Sequence, residues 1–258
     1  MRIAVIGGTG VYDPTWLSQS TTEEVATPFG PTRVTRGHLE GMEEEVFFMN
    51  RHGAGHKVPP HLVNYRANIW ALREVGVDRV VATAAVGSLN VAMPPGAFVL
   101  CDQFLDFTKA RASTFHNGGE SGVVHTDMTE PYCPDMRSVL VQKAKELGIA
   151  AVNGGCYVTT DGPRFETPAE IKAYRLLGGD VVGMTGVPEV VLARELGLCY
   201  STVALVTNFA AGISSEVLSH QEVLDVMAQN VAGLRNVIAA ALPLLQHERT
   251  CACSLSAH

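Results

Sequence analysis

Residues 3–10 read Ile-Ala-Val-Ile-Gly-Gly-Thr-Gly, a short apolar run that ends in a glycine cluster. A strand that ends in glycines is typical of a parallel sheet whose backbone N–H groups meet an anion. The dinucleotide fingerprint G-x-G-x-x-G does not fit, since counting from Gly8 its third glycine position holds Asp13 and Pro14 follows. The stretch therefore predicts a strand and a tight turn, with the Thr9 hydroxyl facing an anion smaller than a dinucleotide.

Outward from this stretch, short apolar runs alternate with amphipathic runs along the whole chain. This alternation, with continuous apolar strands, predicts an α/β fold with a central, mostly parallel sheet. Two capping boxes, Thr167 with Glu170 and Ser219 with Glu222, mark the starts of two helices. The predicted strands cover residues 3–6, 45–49, 79–84, 98–107, 151–159, 181–184 and 200–206, and the predicted helices cover 63–75, 136–147, 169–177, 188–196 and 220–242.

Composition limits the class of protein. Of the 258 residues 47% are apolar and 17% are charged, which excludes a disordered chain and suits one domain, expected over residues 1–246 with a tail over 247–258. The formal net charge of −7 and the lack of a basic stripe argue against a nucleic-acid partner. No apolar run is long enough for a membrane span and no basic segment precedes an apolar one at the N-terminus, so we expect a cytoplasmic protein without a membrane partner.

The six cysteines form no C-x-x-C pair, so we expect no metal site. Cys251 and Cys253 flank Ala252 in the tail. They are either a strained local disulfide or a pair of reduced thiols in a frayed terminus, and the rarity of cytosolic disulfides favours the thiols.

Glycines, small residues and polar residues recur where the predicted strands end. Because ligands of open α/β sheets bind at the loops that follow the strands, these loops indicate one composite pocket. The loops read GGTG (7–10), NRHG (50–53), AAVGS (84–88), DGPRFE (161–166), MTG (184–186) and NFAAG (208–212).

Some of these loop residues are suited to clamping a tetrahedral oxyanion. Taken singly, an arginine can also form a surface salt bridge and a threonine can be an ordinary turn residue; His52 can donate to the anion or cap its turn. The chain has neither a P-loop lysine nor an acidic magnesium cluster, so phosphate is expected as a reactant and not as part of a triphosphate. The candidate phosphate ligands are Thr9, Arg51, His52, Thr185 and the backbone N–H groups near Ala84 and Ala85.

Asn208 closes an apolar strand with an amide that both donates and accepts, which suits the edge of a purine. Glu166 follows Phe165 at another strand end, and an ionised carboxylate could accept from a purine N1–H. The alternative for Glu166 is a charge that stabilises the helix starting after Thr167.

Over residues 2–245 the chain resembles the trimeric purine nucleoside phosphorylase and methylthioadenosine phosphorylase family. The resemblance implies a single-domain α/β fold around a twisted mixed sheet, a homotrimer, no metal or other cofactor, and phosphorolysis of a nucleoside to a free base and a pentose 1-phosphate. The matching segments are GGTG (7–10), RHG (51–53), VNYRAN (63–68), GPRF (162–165), GMT (183–185), VPE (187–189) and TN (207–208).

By matching position, the resemblance assigns the candidate phosphate ligands above to the phosphate site and Met184 to the ribose. It assigns the base to Phe165, Glu166 and Asn208 with the loop of Phe209 and Ala210, and it places His125 in a segment that reaches into a neighbouring subunit. The chain departs from the family at Ala84, where a threonine or asparagine side chain toward phosphate is common, so one hydrogen bond to phosphate is expected to be lost.

Glu166 and Asn208 resemble the pair in members that cleave inosine and guanosine, because N1–H of a 6-oxopurine donates to a carboxylate and N1 of adenine does not. His220 resembles members that recognise a 5′-hydroxyl, whereas methylthio-specific members have an apolar residue there; as an alternative His220 is an exposed helix-end residue. The remaining alternatives are a methylthioinosine, methylthioadenosine or mixed-specificity phosphorylase, a nicotinamide-dependent dehydrogenase, and a nucleoside-binding protein without activity.

Overall fold

The computed structural model describes residues 1–8, 11, 16–42, 44–53, 55, 57–119, 122–214 and 219–256. Within these ranges one sheet of eleven strands is flanked by five α-helices. The strands are β1 (Arg2–Gly7), β2 (Ser18–Val25), β3 (Thr32–His38), β4 (Val46–Asn50), β5 (Val77–Ser88), β6 (Phe98–Leu100), β7 (Gln103–Asp106), β8 (Ala151–Asn153), β9 (Cys156–Thr159), β10 (Val181–Gly183) and β11 (Cys199–Phe209). The helices are α1 (Tyr65–Glu74), α2 (Pro134–Glu146), α3 (Pro168–Leu176), α4 (Gly186–Glu195) and α5 (His220–Ala241).

The sheet is mixed and mostly parallel, as predicted. Six of its strand pairs are parallel, among them β1 with β4, β1 with β5 and β5 with β11. The pairs β2–β3, β3–β4, β5–β10 and β6–β11 are antiparallel. One face of the sheet packs against α1 and α4 and the other packs against α2 and α5, so that apolar residues are buried on both faces.

Strand β5 opens a gap in the sheet that positions the functional site. Its pairing with β1 ends at Ala82, whereas its antiparallel pairing with β10 begins at Gly87. Among the described strands, residues 83–86 therefore have a partner on one side only, where β11 continues alongside them. Backbone groups of β5 in this gap face a cavity and not another strand.

Two of the predicted strands, over residues 98–107 and 151–159, are each divided in two. Asp102 lies in the break between β6 and β7, and its Oδ1 accepts from the backbone N–H of Gly155 at 2.9 Å. Gly154 and Gly155 have positive φ angles of 108° and 146°. They interrupt the second predicted strand, between β8 and β9, opposite the break between β6 and β7. As a result β6 pairs with β8, and β7 pairs with β9. The prediction missed β2 and β3, and β2 (SQSTTEEV) is polar and mostly exposed.

The predicted helix starts agree with the structure. At α3 the Thr167 side chain accepts from Glu170 N while the Glu170 carboxylate accepts from Thr167 N, which is the predicted capping box. At α5 the Ser219 hydroxyl accepts from Glu222 N at 3.1 Å. Among the described residues no helix combines the length and the hydropathy that crossing a bilayer requires.

The described part of the C-terminal tail packs against the core, so the expectation of a frayed terminus is wrong for it. Arg79 Nη2 donates to the carbonyl of His247 at 3.2 Å, and Thr250 Oγ1 donates to Asp135 at 2.8 Å. Cys253 is 3% exposed. The boundary between a domain of residues 1–246 and a tail of residues 247–258 stays a prediction.

Replacing Gly155 by alanine should destabilise the paired strand breaks. A Cβ there would lie 2.8 Å from Val99 Cγ1, and the φ of 146° is strained for any L side chain. We expect Gly155→Ala to lower the free energy of unfolding by about 2–3 kcal/mol, measured by urea denaturation.

Gly148→Ala is the matched control. Gly148 also has a positive φ, 69°, but a Cβ there would meet no atom within 4 Å, so about 1 kcal/mol of backbone strain is expected. Equal losses in the two variants would contradict the role given to the contact with Val99.

Candidate active site

A cavity of about 250 Å³ lies at the gap beside β5. The carboxyl ends of β1, β4, β10 and β11 and the loop after β9 meet there, as open α/β sheets dictate for a ligand site. The structure thus brings together residues that the sequence predicted from six separate loops. The predicted residues that line the cavity are Arg51, His52, Ala84, Ala85, Phe165, Glu166, Met184, Thr185, Asn208 and Ala210.

Arg51 is a buried cation held by a carboxylate, not a surface salt bridge. Its Nε and Nη2 donate to the two oxygens of Glu189, both at 2.7 Å, and its Nη1 donates to the carbonyl of Thr83 at 2.9 Å. Burial disfavours the charged guanidinium, but the charge and hydrogen bonds of Glu189 outweigh it and raise the pKa of Arg51 above its ordinary value. Among the described residues these bonds occupy three of the five guanidinium N–H donors. One N–H on Nη1 and one on Nη2 therefore remain for an anion.

Glu189 is fixed as firmly as the arginine it holds. Its side chain is fully buried, and Oε1 also accepts from the Tyr200 hydroxyl at 2.7 Å. Burial and then the charge of Glu189 raise the pKa of Tyr200 well above its ordinary value, so the phenol stays a donor. Val187 has non-helical angles (φ −114°, ψ 133°), so the regular part of α4 starts after it and Glu189 lies in the first turn. A carboxylate at that position is stabilised by the helix dipole.

Close packing around Arg51 leaves little room for a side chain at Gly8. A Cβ at Gly8 would lie 3.3 Å from Arg51 Nη1 and 3.3 Å from the carbonyl of Thr83. The backbone N–H of Gly8 donates to Thr83 Oγ1 at 3.1 Å. The end of β1 is thereby held against the arginine and against the gap in β5.

Arg111 joins three of the segments that surround the cavity. It donates to the carbonyls of Val187 at 2.7 Å, Asp161 at 3.0 Å and Thr160 at 3.2 Å. Its guanidinium also lies over the ring of Tyr65, 5.3 Å from the centroid. Arg111 therefore ties the loop before α3 and the start of α4 to α1.

Glu166 and Asn208 also line the cavity, and Asn208 lies beside Gly87, four residues along β5 from Thr83. Glu166 Oε1 accepts from Thr160 Oγ1 at 2.6 Å, which orients the carboxylate so that Oε2 can accept from a ligand. The Asn208 amide is 4% exposed; its Oδ1 accepts from Thr207 at 2.9 Å and its Nδ2 donates to the carbonyl of Phe209 at 2.9 Å. Both side chains are thus oriented by neighbours before any base arrives. Phe165, 41% exposed, lies at the mouth.

His52 has its tautomer set by a neighbour. Nδ1 lies 2.8 Å from the carbonyl of Val58, which can only accept, so Nδ1 carries a proton. In the neutral ring Nε2 is then an acceptor, so donation from Nε2 to phosphate requires the imidazolium form.

Four predicted site residues are not among those that line the cavity. Two of them are described but lie elsewhere, and for the other two the side chain lies outside the described part of the chain. Thr9 lies outside the described residues, and so does the side chain of His220, whose backbone begins α5. Among the described residues, Phe209 contributes its carbonyl to Asn208 and is absent from the cavity lining. His125 is exposed, and its contact with a neighbouring subunit stays a prediction.

A sequence model of the phosphorylase superfamily matches residues 2–243. The chain belongs to the phosphorylase superfamily. It is 60% identical over 257 residues to a probable 6-oxopurine nucleoside phosphorylase of Moorella thermoacetica, with 100% of this chain and 98% of that protein covered. It is 53% identical over 258 residues to a 6-oxopurine nucleoside phosphorylase of Pyrococcus furiosus, with 98% and 96% covered. Among solved structures, methylthioadenosine phosphorylase from Schistosoma mansoni in complex with adenine superposes with a TM-score of 0.90 at 36% identity, over 96% of this chain and 92% of that one.

Membership of the superfamily confirms the resemblance drawn from the motifs and makes the chain an enzyme. It excludes the dehydrogenase alternative, in agreement with the broken dinucleotide fingerprint at Gly8. The structure of this phosphorylase adds residues that sequence reasoning did not assign to the site: Glu189, Tyr200, Arg111 and Val223. Glu189 had a usable signal, because it lies within the apolar run Val187–Leu192. Such a run predicts burial, and a buried carboxylate requires a partner.

Replacing Glu189 by glutamine should destabilise this phosphorylase strongly. The change removes the buried charge that compensates Arg51, and breaking one side of a buried ion pair costs about 3–5 kcal/mol. We expect the free energy of unfolding to fall by that amount in urea denaturation.

The control is Glu170→Gln, which weakens another arginine–carboxylate pair with two hydrogen bonds, at the surface. Glu170 Oε1 lies 2.7 Å from Arg164 Nη2, but the two side chains are 32% and 65% exposed. A loss below about 1 kcal/mol is expected there. A similar loss in both variants would show that burial of the Arg51 pair is not what makes it important.

Proposed function

We propose that the protein cleaves 6-oxopurine nucleosides, inosine and guanosine, by phosphorolysis to the free base and ribose 1-phosphate, in purine salvage. The single observation that supports this most is the division of one cavity into two chemically different ends. Arg51 contacts β5 at the carbonyl of Thr83, whereas Asn208 lies beside Gly87, four residues further along the strand, and Thr185 and Glu166 line the same cavity. We place the anion at the Arg51 end and the base at the Asn208 end. A nucleoside between the two ends would have its base at the carboxylate and its C1′ near a bound phosphate.

Orthophosphate is the nucleophile in this reaction. The Nη1–H and Nη2–H of Arg51 and the Thr185 hydroxyl donate to its oxygens, with Thr9 as a further expected donor. Because Glu189 already neutralises Arg51, the net positive charge at this end is small. Phosphate therefore keeps negative charge to stabilise the cation that develops at C1′.

The base leaves from the opposite end. The bond from C1′ to N9 breaks, its electron pair goes to the purine, and a phosphate oxygen forms the new bond to C1′. Asn208 donates to N7 and so stabilises negative charge on the departing purine, and Glu166 accepts from N1–H. Met184 contacts the ribose between the two ends. Protein groups and phosphate account for each of these roles, so the proposal includes neither a cofactor nor a metal in the reaction.

A 5′-methylthio nucleoside is the second candidate substrate, because Val223 gives the cavity an apolar wall one turn after the start of α5. A valine can contact a methylthio group, whereas His220 on the same helix is expected to favour a 5′-hydroxyl. The names of the Moorella thermoacetica and Pyrococcus furiosus relatives, a probable 6-oxopurine nucleoside phosphorylase and a 6-oxopurine nucleoside phosphorylase, support the hydroxyl substrate.

The proposal includes a homotrimer in the cytoplasm. His125 and Val123 are exposed, and the described parts of residues 107–130 form neither α-helix nor strand, as suits a segment that reaches into a neighbouring subunit. All six cysteines are free of disulfides in the structure, in keeping with a reducing compartment.

A substrate panel tests the reaction type and the substrate together. Inosine, guanosine, adenosine and 5′-methylthioinosine are each incubated with and without orthophosphate, and the released base is quantified. We expect base release only with phosphate, and faster release from inosine and guanosine than from the other two. Equal release without phosphate would make the protein a hydrolase, no release would favour a binding protein, and a preference for the methylthio substrate would favour the second candidate.

Replacing Glu166 by glutamine should reduce the discrimination between bases. A mispaired buried polar group costs about 1–3 kcal/mol, so roughly ten- to a few-hundred-fold preference for inosine over adenosine is expected in kcat/KM for the unmodified enzyme. An amide can donate to N1 of adenine, so Glu166→Gln should lower that ratio toward unity.

Glu146→Gln is the control, since Glu146 pairs with Lys143 on the surface of α2 and is not part of the cavity. It should leave the inosine-to-adenosine ratio unchanged. If Glu166→Gln also keeps the full ratio, Glu166 acts only as a charge before α3.

A further inference from the structure

Four cysteines from three separate segments meet away from the cavity. Cys133 precedes α2, Cys199 begins β11, and Cys251 and Cys253 belong to the tail. Their four Sγ atoms all lie within 4.8 Å of one another, and Sγ of Cys199 lies 3.4 Å from that of Cys251. The proposed phosphorolysis uses none of them.

We propose that Cys133, Cys199, Cys251 and Cys253 bind one Zn²⁺ as a closed, tetrahedral structural site. Zinc binds thiolate sulfur at about 2.3 Å, which places the sulfurs of a tetrahedral site about 3.8 Å apart. In the structure one sulfur separation is 3.4 Å and none exceeds 4.8 Å, so small side-chain movements complete the geometry. Four sulfur ligands select zinc over the oxygen-binding cations magnesium and calcium.

The surroundings favour a structural metal over a catalytic one. Cys133 and Cys199 are fully buried, Cys253 is 3% exposed and Cys251 is half-buried. Four protein ligands leave no position for water or substrate, as in known structural zinc sites.

Arg249 lies where it can offset the charge of such a site. Zinc with four thiolates has a net charge of about −2, and Arg249 Nη1 lies 4.0 Å from Sγ of Cys199. The same guanidinium donates to the carbonyl of Gly197 at 3.1 Å and lies 3.6 Å from Asp78. Arg249 is therefore fixed beside the sulfurs by contacts that do not involve them.

The tail is also anchored independently of its cysteines. The backbone N–H and the hydroxyl of Thr250 both donate to Asp135 Oδ2, at 3.1 and 2.8 Å. Asp135 lies two residues after Cys133, so this contact brings Cys251 next to Cys133. The site is thus assembled by the folded chain before a metal arrives, which lowers the entropy cost of binding.

The chemistry distinguishes zinc from disulfides in the same cluster. Each disulfide forms by loss of two protons and two electrons to an oxidant, whereas zinc displaces four protons from four thiols with no change of oxidation state. The metal site therefore needs only reduced thiols, and no disulfide bond joins any of the six cysteines in the structure.

Metal analysis of the whole chain tests the proposal. The protein is produced with zinc in the medium, purified in reducing buffer without chelator, and measured by inductively coupled plasma mass spectrometry. We expect one zinc per chain in the unmodified protein and in Cys156→Ser, whose thiol lies outside the cluster, and at least about tenfold less in Cys133→Ser and Cys253→Ser. Exchange with Co²⁺ should give the absorption spectrum of a tetrahedral tetrathiolate.

A zinc content near zero in the unmodified protein would overturn the proposal, as would a denatured chain whose mass is lower by two or four hydrogens, the mark of one or two disulfides. Unchanged zinc in the two cluster variants would also overturn it. Should those variants fail to fold, the zinc content and the cobalt spectrum of the unmodified protein still decide. None of these readouts depends on activity, so the result stands apart from that of the substrate panel.

Discussion

The site depends on one buried ion pair, Arg51 with Glu189. A guanidinium without a partner would be an uncompensated charge in this interior, and its two bonds to the carboxylate fix the direction of its remaining N–H groups. The pair also joins distant parts of the chain, since Arg51 follows β4 and Glu189 lies in α4. The close fit of Gly8, the position of Thr83 and the hydroxyl of Tyr200 are all consequences of accommodating it.

The sheet supplies the space that the ion pair requires. If β1 continued beside β5 as far as β11 does, backbone ladders would close the gap at residues 83–86 and leave no cavity. Instead, the pairing of β1 with β5 ends at Ala82, and β10 pairs with β5 from the opposite direction. Residues from both sides of the gap can then line one cavity, and Arg111 ties the loop after β9 to the start of α4 through the carbonyls of Asp161 and Val187.

Sequence reasoning recovered most of the elements because the buried strands are continuously apolar; all five residues of β1 after Arg2 are buried, as are the first ten of β11. It missed β2 because an exposed, polar strand has no such signal. It located Arg51 from the end of a strand but could not show that the side chain is buried, since that depends on Glu189, 138 residues later. Arg111 gave no signal, because a loop has no periodicity and its partners are backbone carbonyls. The thiol cluster also gave no signal in the sequence, because its cysteines come from three distant segments of the chain.

Strand β11 relates the thiol cluster to the reaction. Cys199 is its first residue and Asn208 its second-to-last, so the two are nine residues apart. At about 3.3 Å per residue in a strand, this separation is about 30 Å. A metal at the cluster is too far away to polarise phosphate or base, and it can influence Asn208 only by holding the strand. Because β5 and β6 already pair with β11 along most of its length, the cluster mainly secures the tail and the start of the strand, while the geometry at Asn208 is set by Thr207 and Phe209 beside it.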